Sequence, residues 1–466
     1  MSELFIYNTL TKQKERFVPI YEGEVRMYVC GMTVYDFCHI GHARVMVSFD
    51  VITRWLRSSG YKVTYVRNIT DIDDKIITRA QQNNEDFSTL TERMITAMHE
   101  DEAALHVLSP DIEPRATEHM QGIINMIQNL ITKDYAYAAA NGDVYYRVAK
   151  FTEYGKLSRR KLEDLKVGAR IAVDEFKQDP LDFVLWKSAK EGEPSWNSPW
   201  GKGRPGWHIE CSVMSCHCLG KSFDIHGGGP DLVFPHHENE IAQSEAANNV
   251  SYANTWMHAG AVKVDDEKMS KSLGNFFTIR DVLTKYHPEV LRYFLLSSHY
   301  RSPINYSQHN LQEAKTALTR LYTAVNNLPI IEIQNVAEYA DYWQQFRTAM
   351  NDDFATPQAV AVLFDLARQI NRLRLEDPEK AAKLASILRK LASFIGILQQ
   401  DPASFLQGNK QDLADIDVNK IEQLIKLRLD ARNAKNWSES DRIRDELQKM
   451  GVVVEDTKNG SNWKLV

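Results

Sequence analysis

Residues 24–65 read EVRMYVCGMTVYDFCHIGHARVMVSFDVITRWLRSSGYKVTY. Val25, Met27 and Val29 alternate with other residues, the period of a strand, and the run closes on Cys30-Gly31. From about Ala43 the apolar residues Val45, Phe49, Ile52 and Leu56 recur at spacings of four, three and four, which predicts an amphipathic helix stopping at Gly60. Tyr61, Val63 and Tyr65 then alternate again. Strand, helix and strand make a βαβ unit, so the turn after Cys30 is expected at the carboxyl end of a parallel strand, where open α/β sheets bind ligands. That turn carries no GxGxxG fingerprint.

Working outward, 466 residues at about 150 per domain predict roughly three domains and more than one sizeable core. Hydrophobic residues at 43% and charged residues at 25% are globular values, which disfavours wholesale disorder and fibrous repeats. With 56 lysines and arginines against 62 aspartates and glutamates, the net charge is −6. This is not the basic body of a protein that coats nucleic acid indiscriminately, so any nucleic-acid contact must be local. The start, Met1-Ser2-Glu3-Leu4-Phe5-Ile6-Tyr7, lacks the layout of a secretory signal, and no apolar run approaches membrane-spanning length. The cytoplasm is the expected location, with no membrane partner. The odd, sparse set Cys30, Cys38, Cys211, Cys216 and Cys218 argues against a disulfide framework and leaves metal binding or free thiols.

Texture changes along the chain. Between Arg147 and Arg170, eight basic residues stand against Glu153, Glu163 and Asp164. Proline and glycine cluster from Glu191 to Gly206, as expected of loops returning the chain from an inserted module. A second α/β stretch follows, with strand-like Ser222 to His226, the glycines Gly227-Gly228-Gly229 and a helix opening near Pro235. After about Asn310 the pattern becomes helical, and Leu384, Ile387, Leu391, Phe394 and Leu398 mark one buried face. Gln399 to Asn419 reads as a polar linker. In the last module helical patterns run through Leu447, and then Val452-Val453-Val454, Asn459-Gly460 and Trp463 predict a hairpin, because Asn-Gly suits a type I′ turn.

Four groups of residues carry chemistry. In the turn, His39 and His42 stand three apart at a helix start, where imidazoles can donate hydrogen bonds to phosphate, and Gly41 removes a side chain that would block a nucleotide. Lys268-Met269-Ser270-Lys271-Ser272-Leu273-Gly274-Asn275 puts two ammonium groups and two hydroxyls on a glycine-containing loop able to close over a triphosphate. His236 and Glu240 are four apart, so a helix opening at Pro235 brings both to one face, and two thiolates from distant segments can complete a tetrahedral site. The sequence does not choose those partners. His237 and Glu238 compete, and Cys38, Cys216 and Cys218 also read as small buried residues. Asp71, Asp73 and Asp74 read more simply as helix-start carboxylates favoured by the dipole than as a magnesium site.

The His39-Ile40-Gly41-His42 turn and the Lys268–Ser272 loop, in this order on an α/β chain, resemble the two signatures of class I aminoacyl-tRNA synthetases. Cys30-Gly31, Trp207-His208-Ile209-Glu210-Cys211 and Phe234-Pro235-His236-His237-Glu238-Asn239-Glu240 are similar to the zinc-centred motifs of the cysteinyl-tRNA synthetases. The similarity runs over essentially the whole chain, with Met32 standing where that family usually has proline. The resemblance implies an α/β Rossmann-like catalytic domain with a parallel sheet, residues 1–120 and 206–260, split by a connective module at 121–205. A linking segment at 261–310 would carry the lysine loop. A tRNA-binding helical bundle at 311–400, and a linker with a small α+β anticodon-binding module at 401–466, would complete the chain.

The same resemblance implies a ligase that activates L-cysteine with ATP and passes it to the 3′ end of tRNA(Cys), acting as a monomer. His39, Gly41, His42, Asp231 and Lys271 would meet ATP, with Lys268 and Lys271 stabilising the transition state. Gly31, Thr70 and Trp207 would meet cysteine. Cys30, Cys211, His236 and Glu240 would hold one Zn²⁺, and Mg²⁺ would accompany ATP. Zinc has a reason to be there: a hydrophobic pocket separates near-isosteres by only ~1–3 kcal/mol, whereas zinc favours soft sulfur over hydroxyl. The basic stretch from Arg147 to Arg170 is a candidate for the acceptor arm. Lys426, Arg428, Arg432, Lys435, Arg442 and Arg444 would neutralise phosphates near the anticodon, with Trp437 and Trp463 stacking on its bases. The rival readings are a cysteine ligase with a small-amine acceptor and a nonenzymatic zinc protein that binds RNA.

Overall fold

The computed structural model describes residues 3–161, 163, 176–268, 275–332, 339–407, 418–457 and 460–465. They form two compact units, one of residues 1–279, 299–304 and 350–355, the other of 280–298, 305–349 and 356–466.

The first unit is built on a four-stranded parallel sheet. Strand β1 (Glu24–Val29), helix α1 (Ile40–Ser58) and strand β2 (Lys62–Arg67) make the expected βαβ unit. Helix α2 (Trp207–Leu219) leads into a second one, formed by strand β3 (Phe223–Gly228), helix α3 (His236–Asn248) and strand β4 (Ala253–His258). The sheet order is β4-β3-β1-β2, with every pairing parallel. From β1 the chain steps outward to β2, and from β3 it steps outward the other way to β4. The strand order therefore reverses between β1 and β3, and the loops leaving their carboxyl ends diverge over a crevice. Cys30 and Gly31 leave β1 there, and Gly228-Gly229 leaves β3.

Burial corrects the strand reading. Val25, Met27 and Val29 are buried as expected, but so is Tyr28 between them, because helices cover a parallel sheet on both faces. Helix α1 begins at Ile40, three residues before the apolar periodicity suggested, and buries Phe49, Ile52 and Leu56 as expected. Each such side chain contributes about 1.5–3 kcal/mol of transfer free energy. Gly31 is obligatory at its place, since a Cβ there would lie 1.7 Å from the Asn68 carbonyl oxygen.

Between β2 and α2 the chain forms a five-stranded antiparallel sheet from Ala136–Ala138, Val144–Tyr146, Phe183–Ser188, Gly201–Pro205 and Trp196–Ser198, in that spatial order. One apolar core runs from Tyr28 and Val66 through Ile123 and Ile127 to Tyr146 and Trp186. The Tyr146 hydroxyl donates to the Ala242 carbonyl in α3, 2.8 Å away, so this insertion folds against the sheet unit.

The second unit is helical. Leu384, Ile387 and Leu391 are buried on helix Pro378–Ser393 as their spacing requires, but the helix ends before Phe394, and Leu398 lies beyond it with φ of 58°. The expected linker contains a short helix, Pro402–Gln407, and residues 408–417 lie outside the described ones. The last helices, Val418–Asn433 and Trp437–Lys449, and a hairpin of Val452–Thr457 with Gly460–Leu465 enclose a small core of Ile421, Leu424, Ile443, Leu447, Val452 and Trp463. Trp463 thus packs this core, which corrects its expected role on bases, whereas Trp437 is 60% exposed. Thr457 pairs with Gly460, and Asn459 lies outside the described residues. Among the described residues no helix is long and apolar enough to cross a membrane.

Candidate active site at the switch point of the sheet

Four ligating side chains converge beneath the crevice. Cys30 leaves β1, Cys211 lies in the first turns of α2, and His236 and Glu240 share one face of α3. All four are buried. The Cys30 sulfur is 3.7 Å from the Cys211 sulfur, 3.5 Å from His236 Nε2 and 3.3 Å from Glu240 Oε1, and His236 Nε2 is 3.0 Å from Glu240 Oε1. A tetrahedral zinc at ordinary bond lengths would place two sulfurs ~3.8 Å apart, sulfur and nitrogen ~3.6 Å and sulfur and oxygen ~3.5 Å. The donor set therefore fits a metal ion in spacing and in softness.

The outer contacts aim these ligands. Glu240 Oε2 receives His226 Nε2 at 2.8 Å and the Tyr252 hydroxyl at 3.0 Å, which leaves Oε1 for the cluster. His236 Nδ1 lies 2.8 Å from His208 Nδ1, which leaves Nε2 for the cluster. Such partners orient metal ligands and raise their basicity. Charge follows the same layout. Burial opposes ionisation of Cys211, yet the Cys30 thiol and His236 bring its pKa down to about 6. Burial likewise opposes a charged His236, but the Glu240 carboxylate and the Cys211 sulfur raise it to about 10. Against the cost of burial, His226 and His236 hold Glu240 well below the usual carboxylate range, while burial and Cys211 push Cys30 up. A divalent cation held by these four groups would take up the negative charge of the ligands as they release protons.

The competing candidates separate. Glu238 turns away, accepting backbone N–H groups of Gly155, Leu157 and Ser158. His237 and His226 can join Cys30 and Glu240 in a second grouping, but that set has one sulfur where the first has two. Cys38 is buried, 3.8 Å from the Met32 sulfur, and Cys216 and Cys218 are half-buried outside the cluster. Asp73 caps the helix Asp74–Asn83 and Asp74 opens it, as the helix-start reading requires, whereas Asp71 lies before the cap and accepts from the Thr117 N–H and hydroxyl.

His39 and His42 stand at the same edge of the sheet. His39 is the N-cap of α1, and the two imidazoles cap the helix reciprocally: His39 Nδ1 accepts the His42 N–H and His42 Nδ1 accepts the His39 N–H, both at 3.2 Å. The rings stack at 3.6 Å. A nitrogen that accepts cannot carry the proton, so in the neutral rings Nε2 is the donor. Burial, then His39 and Lys75, hold the His42 pKa well below its ordinary value. The chain that follows the lysine loop docks on this turn, with Ile40 N–H to the Phe277 carbonyl at 3.1 Å, Ile279 N–H to the Cys38 carbonyl at 2.8 Å, and Phe276 edge-on to His39 at 5.1 Å. Gly41 lies in the first turn of α1. Lys268 ends the two-residue strand Glu267–Lys268, while its side chain and residues 269–274, Lys271 among them, lie outside the described residues.

The other expected residues fall around the cluster. The Gly31 N–H donates to Asn68 Oδ1 at 2.9 Å, the same oxygen that faces the Cys211 thiol at 3.7 Å. The Thr70 hydroxyl, buried, donates to Glu210 Oε2 at 3.0 Å. Trp207, 37% exposed, packs its ring on His236 at 4.2 Å. Asp231 is exposed in the single turn Pro230–Val233 that leaves β3. The sequence reading missed Asn68, His208, His226 and Tyr252. Asn68 was findable, since alternate residues at a strand end share a face and Thr70 was already singled out. Tyr252 has no local signal.

A parallel sheet that binds at its switch point, a histidine-capped first helix and an inserted antiparallel sheet define the class I aminoacyl-tRNA synthetase fold. Residues 16–316 match the tRNA synthetases class I (C) catalytic domain, 345–399 the DALR domain and 419–463 the cysteinyl-tRNA ligase anticodon binding domain. Solved structures with the same fold include a methionyl-tRNA synthetase of Mycobacterium tuberculosis in complex with methionyl-adenylate (TM-score 0.57, 14% identity, 82% of this chain and 91% of that one). Another is an arginyl-tRNA synthetase described as putative, from Campylobacter jejuni (TM-score 0.54, 15% identity, 81% and 94%). The chain is 67% identical to cysteine–tRNA ligases of Ectopseudomonas mendocina and Azotobacter vinelandii, over 99% of each chain. It belongs to the cysteine–tRNA ligase family.

Proposed function

We propose that this chain activates L-cysteine with ATP and transfers the cysteinyl group to the 3′ end of tRNA(Cys). In the first step a carboxylate oxygen of cysteine attacks the α-phosphorus of ATP, the bond to the β-phosphate oxygen breaks and pyrophosphate leaves. In the second a hydroxyl of the terminal ribose attacks the acyl carbon and AMP leaves. The supporting observation is the paired arrangement at one sheet edge: a buried two-thiol, imidazole and carboxylate cluster, and two stacked imidazoles that cap the first helix through their Nδ1 atoms.

In this reading Cys30, Cys211, His236 and Glu240 hold Zn²⁺, which when bound supplies selectivity for a soft thiolate. Glu240 is kept in register by His226 and Tyr252, and Trp207 walls the cysteine pocket over His236. Gly31 and Thr70 border cysteine. His39 and His42 donate to phosphate, Gly41 leaves room for the nucleotide, and Asp231 takes the ribose. Lys268 and Lys271 neutralise the charge that develops as pyrophosphate leaves, and Mg²⁺ enters with ATP. The protein thereby acts through positioning and charge. We propose further that it works in the cytoplasm as a monomer.

ATP–pyrophosphate exchange tests the reading. Exchange should depend on cysteine and fall by more than about 10²-fold with serine, because a hydroxyl is a poor zinc ligand. Equal exchange with both, or none with cysteine, would remove it. A small-amine acceptor would leave the terminal module without a task; charging of tRNA(Cys) by the full chain decides between those acceptors.

A further inference from the structure

Glu210 is the acidic residue of the Trp207–Cys211 stretch that the thiol cluster leaves unused. It stands in the first turn of α2, beside Cys211 in sequence, and is 1% exposed. Oε2 accepts the Thr70 hydroxyl at 3.0 Å. Oε1 is buried without a hydrogen-bond partner among the described residues, and no lysine, arginine or histidine among them pairs with this carboxylate. Its neighbours are provided for: Glu240 meets His226 and Tyr252, Glu238 takes three backbone N–H groups, and Asp71 takes Thr117. A carboxylate shut away from water with one oxygen bare is costly, so its place calls for a cation from outside the chain.

The Thr70 hydroxyl marks where that cation would sit. The Thr70 N–H donates to the Met32 carbonyl at 3.1 Å and the Thr70 carbonyl accepts the Val34 N–H at 3.2 Å, so its backbone groups are taken by the turn after β1. A hydroxyl has one hydrogen to give and two lone pairs. The hydrogen goes to Glu210 Oε2, and Asn68 Nδ2, 3.4 Å away, faces one lone pair. One lone pair is left, so Thr70 accepts from an incoming N–H and has nothing to donate to a carboxylate. Asn68 ties this oxygen to the cluster, since its Oδ1 takes the Gly31 N–H at 2.9 Å and lies 3.7 Å from the Cys211 sulfur. In cysteine only two carbons separate sulfur from nitrogen, so a sulfur held at the cluster keeps the α-ammonium beside it.

We propose that Glu210 is a positioning residue for the amine of the substrate: it fixes the Thr70 hydroxyl as an acceptor and supplies the buried negative charge that selects an α-ammonium. This rests on the cysteine ligase reading and deepens it. The thiol cluster would select the sulfur and the Glu210–Thr70 pair the nitrogen. A thiol acid without an amine is thereby excluded before ATP is consumed.

The test uses the full, zinc-loaded chain and compares cysteine with 3-mercaptopropionate, which keeps the thiol and the carboxylate and lacks the ammonium. Glu210→Gln keeps the shape and removes the charge, so the KM for cysteine in ATP–pyrophosphate exchange should rise about tenfold or more, the size of a hydrogen bond to a charged group. The inhibition constant of 3-mercaptopropionate should move by less than about twofold, with zinc content and the KM for ATP unchanged. Equal weakening of both thiols, or an unaltered KM for cysteine, would overturn the proposal and leave the ligase reading intact. Thr70→Val removes the hydroxyl and should show the same split between the two thiols, while Thr70→Ser, which keeps it, should lose less. If Glu210→Gln fails to fold or loses zinc, the Thr70 variants decide alone, and equal weakening of both thiols in Thr70→Val would overturn the proposal. Absence of cysteine-dependent exchange in the unaltered chain would remove the ligase reading instead.

Discussion

The histidine turn and the thiol cluster lie at the same edge of one sheet and are built in opposite ways. His39 and His42 stand one helical turn apart, and their geometry is settled by the cap they make for α1, two bonds of 3.2 Å between neighbours in sequence. Cys30, Cys211 and Glu240 are 181 and 210 residues apart when counted from Cys30, and nothing local brings them together. A cap survives as long as its helix does. The cluster exists only where β1, α2 and α3 are all in register, so one contact made in the wrong place would lose it whole.

A third grouping shows what distinguishes a metal site from a cluster of ligating groups. His99, Glu102 and Glu113 also converge. There Arg67, buried at the end of β2, already sits between the carboxylates, 2.6 Å from Glu102 and 2.7 Å from Glu113. Its guanidinium fills the place a cation would take. Among the described residues no arginine or lysine pairs with the thiol cluster, and Glu240 faces imidazoles.

The largest effect should come from breaking the assembled site. Cys211→Ser removes one soft ligand, and zinc content, measured by atomic emission, should fall from about one per chain to under about 0.1. Retained zinc together with retained cysteine selectivity would exclude Cys211 as a ligand. The local site should break more gently. His39→Asn keeps a good N-cap but loses the Nε2–H, so cysteine-dependent exchange should fall about 10²-fold with Tm within ~2 °C. A large drop in Tm with little loss of exchange would make the turn a structural cap only.

The last effect is that of pH on the imidazoles packed around the cluster. Burial first, then neighbouring histidines, hold His258 down to about 3 and keep His208 and His237 well below the ordinary value. A folded pKa below the unfolded one, about 6.5, means that the unfolded chain binds more protons between the two. Stability therefore rises with pH across that window and is lost as pH falls below about 6.5, by up to about 1.4 kcal/mol per unit for each imidazole. Urea midpoints measured from pH 7.5 down to 5 should decline, and a flat profile would mean that these rings take protons in the folded state.

Much of this was legible in the sequence because periodicity and short spacing are local properties. The βαβ unit followed from Val25 to Tyr65, the face shared by His236 and Glu240 from their spacing of four, and the hairpin from Val452 onward, since backbone geometry ties spacing to direction. The sequence also carried the family resemblance in its motif words. What it did not decide was which face a residue meets. Trp463 and Trp437 read alike, yet one packs the terminal core and the other is exposed. Glu238 and Glu240 are two residues apart, and a helix turns about 200° between them. One carboxylate therefore meets the thiols and the other holds a cationic loop. The His226 and Tyr252 support of Glu240 and the turn of Glu238 toward the backbone of Gly155 and Ser158 belong to tertiary structure alone, whereas the family motif already pointed to Cys211. Each depends on which distant segment packs against a given face, and burial makes that choice costly to violate because a charge or thiol shut away from water must find its partner there.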